Sequence, residues 1–254
     1  MSRLIVNADD FGISIEVNQS ISECFRQHIV DRTTVMVNMP YAQDAMQLAR
    51  KEGFLSAVGL HINLTEGKPL TDKIKTTKFC NASGLFSQGG RATFARIYLN
   101  GRTREAVREE VAAQCQKFLE MGGILMHADS HQHIHTSISL VNVILKVLKK
   151  YGFQSIRLSR NIPISQITGA KKIYKNIVNN RFRKFNVKYN KNNMIVDYFG
   201  NMDDVECFLS NEASGKENIE AMTHPGNVVD GVVYDILNKK NIAMWEERVK
   251  KQEL

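Results

Sequence analysis

Two adjacent carboxylates and six of the seven histidines of this chain stand on or just beyond short apolar runs. Asp9 and Asp10 end the stretch "RLIVNADDFG", in which Leu4, Ile5 and Val6 read as a buried strand. His61 lies in "GLHINLT", His127, His131, His133 and His135 in "MHADSHQHIH", and His224 in "THPG". Only His28 falls in a helical pattern, where a structural role suffices. Neighbouring strand residues face opposite sides, so two buried acids side by side are costly. A turn with a helix cap accounts for the pair. A divalent cation accounts for it too. A catalytic metal takes about three protein ligands and keeps a position open for water or substrate. One carboxylate and two imidazoles make such a set and leave the ion a residual positive charge. The other acid can then handle the proton of the water, and the divergent directions of the pair become useful where the strand stops.

Within "HADSHQHIH" the residues His127, Asp129, His131, His133 and His135 share parity, so an extended chain points them to one side. All five cannot enter one coordination sphere. Some must orient ligands or touch substrate.

The elements that would bring these residues together recur along the chain as strand signal, polar residues and helical pattern. "RLIVNADD" precedes an amphipathic stretch over 17–28, and "TTVMVNM" precedes "AQDAMQLARKE". "SAVGLHINLT", "ILMHADSH", "SIRLSR", "MIVDYF" and "IEAMTHPG" continue the series, with strong helical patterns at 104–121 and in "SISLVNVILKVLKKYG". Strands alternating with helices predict a parallel sheet with helical crossovers. About seven strands suit a (β/α) barrel or an open doubly wound sheet. No GxGxxG follows the first strand, which removes support for dinucleotide binding. In a barrel the C-terminal strand ends converge on one face, where catalytic groups gather. Segment 66–103 lacks periodicity and is rich in turn residues, as expected of a lid, a binding loop or a plain surface excursion.

At 254 residues, 43% hydrophobic and 24% charged, the chain has an ordinary globular composition. It contains no apolar run near the roughly 20 residues that span a bilayer. Cys24, Cys80, Cys115 and Cys207 form no CxxC pair and read as reduced thiols, and the expected compartment is the cytoplasm. The net charge of +8 is concentrated. Lys171, Lys172, Lys175, Arg181, Arg183, Lys184, Lys188 and Lys191 occupy one acid-free stretch, so the remainder is close to neutral and unlike a general nucleic-acid binder.

Taken in order, "NADDFG", "GLHINLT", "DSHQHIH" and "THPG" resemble the YdjC/ChbG family of carbohydrate deacetylases, which includes the hopanoid-biosynthesis deacetylases. The resemblance covers roughly residues 3–226. It implies an irregular (β/α) barrel related to other polysaccharide deacetylases, built as one domain over 1–254, and one divalent metal ion, Mg²⁺ or Zn²⁺. By motif position Asp10, His61 and His131 would be the ligands, Asp9 the base and His224 the acid, with the two Asp roles open to exchange. Two departures stand out. Family members continue past "HPG" into a helix and a last short strand, whereas this chain stops at "EERVKKQEL", which leaves barrel closure there open. The basic segment 171–193 reads as an elaboration.

The chemistry expected is hydrolysis of an N-acetyl group on an amino sugar. Asp129, His133 and His135 fall to orienting ligands or meeting substrate, as do Arg157 and Arg160, which follow a strand and can orient Asp9. A non-haem iron oxygenase and a metallophosphoesterase are the rival metal enzymes. A nucleic-acid module on 171–193 is the non-enzymatic rival, and it leaves the Asp/His constellation without a role. In that segment Ile173, Tyr174, Ile177, Val178, Phe182 and Phe185 recur at helical spacing. A helix packed on the barrel is one expectation. A cationic helix that attracts a phosphate- or lipid-linked sugar, or touches an anionic membrane surface, is the other. A homodimer is compatible with everything above.

Overall fold

A computed structural model describes residues 3–87, 99–190, 195–215 and 217–252. Seven parallel strands form the centre: β1 (Arg3–Phe11), β2 (Arg32–Val35), β3 (Val58–Ile62), β4 (His127–Ser130), β5 (Ser155–Ile156), β6 (Tyr198–Asn201) and β7 (Asn218–Thr223). Their spatial order is β5-β4-β3-β2-β1-β7-β6. This is the cyclic order of a seven-stranded barrel cut between β5 and β6, a curled half-barrel rather than a closed ring. Both faces of the sheet are covered, as parallel sheets require: β3 and β4 are buried at every residue and β7 at all but its first. Helices α1 (Ile15–Arg26), α2 (Ala42–Lys51), α4 (Gly101–Glu120), α5 (Ile138–Lys150) and α6 (Gly169–Tyr189) connect successive strands, with a short α3 (Asp72–Lys75) before α4. Helix α7 (Met202–Asn211) joins β6 to β7.

On the C-terminal side, where the sequence leaves closure open, the sheet is continuous from β1 to β7. β7 pairs with β1 in register from Arg3 opposite Asn218 to Ala8 opposite Thr223. Beyond β7 the chain makes an antiparallel hairpin, β8 (Pro225–Val229) and β9 (Val232–Asp235), and ends in α8 (Ile242–Gln252).

The gap lies on the other side, and side-chain amides bridge it. Asn161, past β5, accepts the backbone N–H of Phe199 at 2.7 Å, and its own N–H donates to the Phe199 carbonyl at 3.1 Å. "SIRLSR" yields only two paired strand residues, because helix α6 supplies what a next strand would. Asn186 exchanges two hydrogen bonds with the backbone of Ile156, both 2.8 Å. Asn179, two helical turns earlier, does the same for Ser159 at 2.7 and 2.9 Å. The basic segment is therefore the β5–β6 crossover, with residues 191–194 outside the described part. Val178, Phe182 and Phe185 of its expected stripe are buried, while Ile173 and Ile177 face solvent. No helix among the described residues is long and apolar enough to cross a membrane.

Candidate metal-centred active site

The end of β1 resolves the problem posed by two adjacent acids. The pairing register with β2 shifts between Ala8 and Phe11, and Asp10 has φ 69°. A positive φ is uncommon outside glycine. Here it turns the second carboxylate so that both acids serve one site. Gly12, at φ 95°, follows with its Cα so close to helix α2 that a Cβ would meet Ala42 Cα at 3.0 Å.

Asp10 Oδ1 lies 2.7 Å from His131 Nδ1 and 3.2 Å from His61 Nε2. The expected ligand set, drawn from β1, β3 and the end of β4, thus converges on one point, with all donor atoms within 4.8 Å of one another. The outer nitrogen of each imidazole rests on a further carboxylate. His61 Nδ1 is 2.6 Å from Asp129 Oδ1, and His131 Nε2 is 3.0 Å from Glu66 Oε2. Thr34 Oγ1, 3.0 Å from His61 Nδ1, donates to Asp129 Oδ2 at 3.0 Å. A carboxylate behind a histidine fixes its tautomer and raises its basicity as a ligand. Burial disfavours an imidazolium at His61, but Asp129, Asp10 and Asp9 outweigh it and raise its pKa to about 10. Burial likewise opposes charge on His131, where Asp10 and Glu66 prevail and raise the pKa to about 9. Desolvation also works against an ionised Asp10, yet its hydrogen bonds to His131 and His61 hold it well below the usual carboxylate range. A mixed oxygen and nitrogen donor set of one carboxylate and two backed imidazoles fits a divalent ion.

A second cluster, Asp9, His61 and Asp129, is near enough to hold a cation, but it already has one. The buried Arg157 guanidinium binds Asp9 through Nη1 to Oδ2 at 2.6 Å and Nη2 to Oδ1 at 2.7 Å. It also meets Asp129 at 2.8 Å and Glu220 at 2.5 Å. Asn7 Nδ2 donates to Asp9 Oδ1 at 2.7 Å. Burial opposes ionisation of Asp9, and Arg157 reverses this, so the acid stays ionised far below neutral pH. Arg32 sits 2.5 Å from the other oxygen of Glu220, whose carboxyl, despite desolvation, is lowered to about 2 by Arg32 and Arg157.

Across from Asp9, His224 follows β7. Asp235 Oδ2 accepts the His224 backbone N–H at 2.6 Å and the Thr223 hydroxyl at 2.8 Å, with His224 Nδ1 3.9 Å away. Burial disfavours the imidazolium, but Asp235, Asp9 and Asp10 together raise the His224 pKa.

The remaining expected residues separate. The shared parity of the histidines is broken after Ser130, because Gln132 and His133 adopt φ 51° and 56° in a 3₁₀ segment over His131–Thr136. His133 is partly exposed and meets Phe199 edge-on at 5.7 Å, and its buried Nδ1 has no partner among the described residues. Desolvation and the charge of Arg157 push its pKa down to about 3, so it is neutral. His135 is fully buried between the Ser130 hydroxyl at 2.5 Å and the Arg157 carbonyl at 3.2 Å, where it braces the loop. His127 points to Ser155 at 2.8 Å, away from the convergent donors. Arg160 is not brought to the donors, since it forks onto Asp204 of α7.

Residues 3–250 match the family model described as YdjC-like protein. The chain belongs to the YdjC-like family. Its sequence is 31% identical over 229 residues to a carbohydrate deacetylase of Clostridium beijerinckii, covering 88% of this chain and 81% of the relative. It is 40% identical over 149 residues to a carbohydrate deacetylase of Vibrio cholerae, where 59% of this chain spans 56% of the relative. Those relatives are hydrolases by name. A crystal structure from Enterococcus faecalis V583, of a protein named for cellobiose-phosphate cleavage, superposes with a TM-score of 0.70. It is 22% identical, covers 99% of this chain and 93% of its own, and shares the fold.

Four residues of this YdjC-like chain that matter at the site carried little sequence signal. Glu220 is a lone acid between the apolar Ile219 and Ala221 of "NIEAMT", and that position is its one mark. Glu66 sits in polar surroundings that do not single it out, Thr34 is one of a threonine pair that opens "TTVMVNM", and Asp235, a lone acid in "VVYDIL", lies outside the four motifs.

Proposed function

We propose that this protein removes the acetyl group from the nitrogen of an amino sugar by metal-dependent hydrolysis. One observation carries the reading. Asp10, His61 and His131 present three donors to one point, and beside Asp10 the carboxylate of Asp9 is anchored on both oxygens by Arg157. Relatives named carbohydrate deacetylase support it.

The three donors would hold one divalent ion, Mg²⁺ or Zn²⁺. Bound there, such an ion supplies Lewis acidity, which lowers the pKa of water and polarises an amide carbonyl. The protein's own groups do the rest. Asp9 stays ionised at all working pH values and is fixed by Arg157, so it accepts the proton of the attacking water. An amine leaves poorly unless protonated. His224, whose protonated form Asp235, Asp9 and Asp10 favour, delivers that proton to the sugar nitrogen. His133 stays neutral beside Arg157, so it adds no charge to the site. Arg157 keeps Asp9, Asp129 and Glu220 in register, so the base and the support of His61 share one buried cation.

A phosphoesterase of the two-metal kind needs a second set of ligands about 4 Å from the first. The second cluster spends Asp9 and Asp129 on Arg157, which favours the one-ion reading. A phosphate-linked carrier for the sugar is the reading we add, and basic residues of α6 support it. Tyr174 accepts the N–H of Ile138 at 3.1 Å and donates to the Thr136 carbonyl at 2.8 Å, so the first turns of α6 adjoin the histidine loop. Lys171 and Lys175 of the same helix, with Arg160, line a cavity of 150 Å³ whose charge suits a phosphate group on the substrate.

Mass spectrometry across N-acetylated saccharides, neutral and phosphate-linked, tests these readings. Replacement of one acetyl group by hydrogen, seen as the matching loss of mass and stopped by chelator, is the expected result. Phosphate release, or oxygen consumption, in place of acetyl loss would overturn it.

A further inference from the structure

The two imidazoles of the site are supported alike at their outer nitrogens, but from different places. Asp129 supports His61 from inside the barrel, fully buried. Glu66 supports His131 from the loop after β3, with its side chain half exposed. We propose that Glu66 is a positioning residue for the metal centre, its carboxylate accepting the Nε2–H of His131 so that Nδ1 faces the ion. This rests on the metal-dependent reading above.

The loop around Glu66 is built to hold its backbone still. Asn63 Oδ1 accepts the N–H groups of Thr65 and Glu66 at 3.0 and 3.1 Å, and Asn63 Nδ2 donates to the Glu66 carbonyl at 2.8 Å. Asn38 Nδ2 adds bonds to the carbonyls of Glu66 at 3.3 Å and Lys68 at 3.1 Å. Gly67 follows at φ 74°, where a Cβ would stand 2.7 Å from Met39 Sδ. Asn63 is itself held, its N–H donating to Gln114 at 2.9 Å and its carbonyl accepting from Gln114 at 2.7 Å. A turn pinned from β2, β3 and α4 leaves one freedom at position 66, the side chain, and that side chain reaches the second histidine ligand. An ordinary surface turn has no need of such a framework.

The geometry also fixes which nitrogen does what. His131 Nδ1 is the atom near Asp10, and Nε2 is the atom on Glu66, so one acceptor at 3.0 Å selects the Nε2–H tautomer. Removing a carboxylate behind a histidine ligand typically weakens metal binding about 10–100-fold.

The test is titration of the whole protein, freed of metal, with Zn²⁺ against a competing chelator. Glu66→Ala is expected to bind Zn²⁺ about 10–100-fold more weakly than wild type, and Glu66→Gln, which keeps an acceptor oxygen, to recover part of the loss. In ¹⁵N-histidine spectra of the zinc-loaded protein, His131 should show the Nε2–H form in wild type and lose it in Glu66→Ala. Equal affinity of wild type and Glu66→Ala overturns the proposal alone. So does unchanged affinity with lost turnover, which would make Glu66 a catalytic group. A wild-type protein that takes up no ion overturns both this proposal and the metal-dependent function.

Discussion

Arg157 grips both oxygens of Asp9, Nη1 at 2.6 Å from Oδ2 and Nη2 at 2.7 Å from Oδ1, and every one of these atoms is buried. A carboxylate held by such a fork is a weak base but a well-aimed one. It suits a water whose acidity is already raised.

Asp9→Asn tests that division of labour. The amide keeps the shape and cannot take the proton, so turnover should fall about 10²–10⁴-fold. Metal content, measured by elemental analysis, should stay at the wild-type level, because Asp9 is committed to Arg157. If Asp9→Asn empties the site and Asp10→Asn does not, the two acids have exchanged roles.

The ligand histidines should compete with protons. His61 and His131, with pKa values raised to about 10 and about 9, are both charged near neutrality when no ion is bound. An ion must displace both protons, so apparent Zn²⁺ affinity should rise by up to about a hundredfold per unit of pH below about 9. The sign follows from ligation by neutral imidazole: higher pH, tighter binding. Calorimetry in buffers of different ionisation heats should show two protons released. His61→Ala or His131→Ala should lose metal and activity together. Full metal occupancy in both variants would mean other residues hold the ion.

Asp235 should set the alkaline limb of the pH–rate profile. A general acid works only while protonated, and Asp235 helps hold the His224 proton. Asp235→Asn lowers that pKa, so activity on an amide should be lost at lower pH than in wild type. An activated ester, whose leaving group needs no proton, should show little change. An unmoved limb would remove His224 from the acid role.

How far the sequence reveals this site depends on what each residue's neighbours say. β1, β3 and β7 are legible because a doubly covered strand must be apolar throughout, and acids or histidines at its end then stand out. The strand in "SIRLSR" is legible but its short extent is not, because asparagines 179 and 186, unremarkable in a basic helix, supply the hydrogen bonds of a missing strand. The histidine run invites a parity argument that fails at Gln132 and His133, since nothing in those residue types announces two left-handed conformations in succession. Glu66 hides in a polar loop because its partner is distant in sequence. The carboxylate pair is the opposite case. Its oddity on paper marks the place where the backbone turns.

The amides of Asn179 and Asn186 supply the last prediction. Each exchanges two hydrogen bonds with a backbone unit at the open edge of β5, and both side chains are buried. Replacing either by Ala strands a buried N–H and C=O, at about 1–3 kcal/mol for each group left unpaired. For a protein of this size each kcal/mol lowers Tm by roughly 2–4 °C, so Asn186→Ala should melt several degrees below wild type. Asn186→Leu fills the space without restoring an acceptor or donor and should melt no higher, which separates lost hydrogen bonds from lost volume. Arg157 lies between Ile156 and Ser159, the two residues held. Loosening that edge should therefore reduce turnover well below the unfolding temperature, through the Arg157 grip on Asp9. Activity and Tm both unchanged in Asn186→Ala would show that β5 needs no surrogate strand.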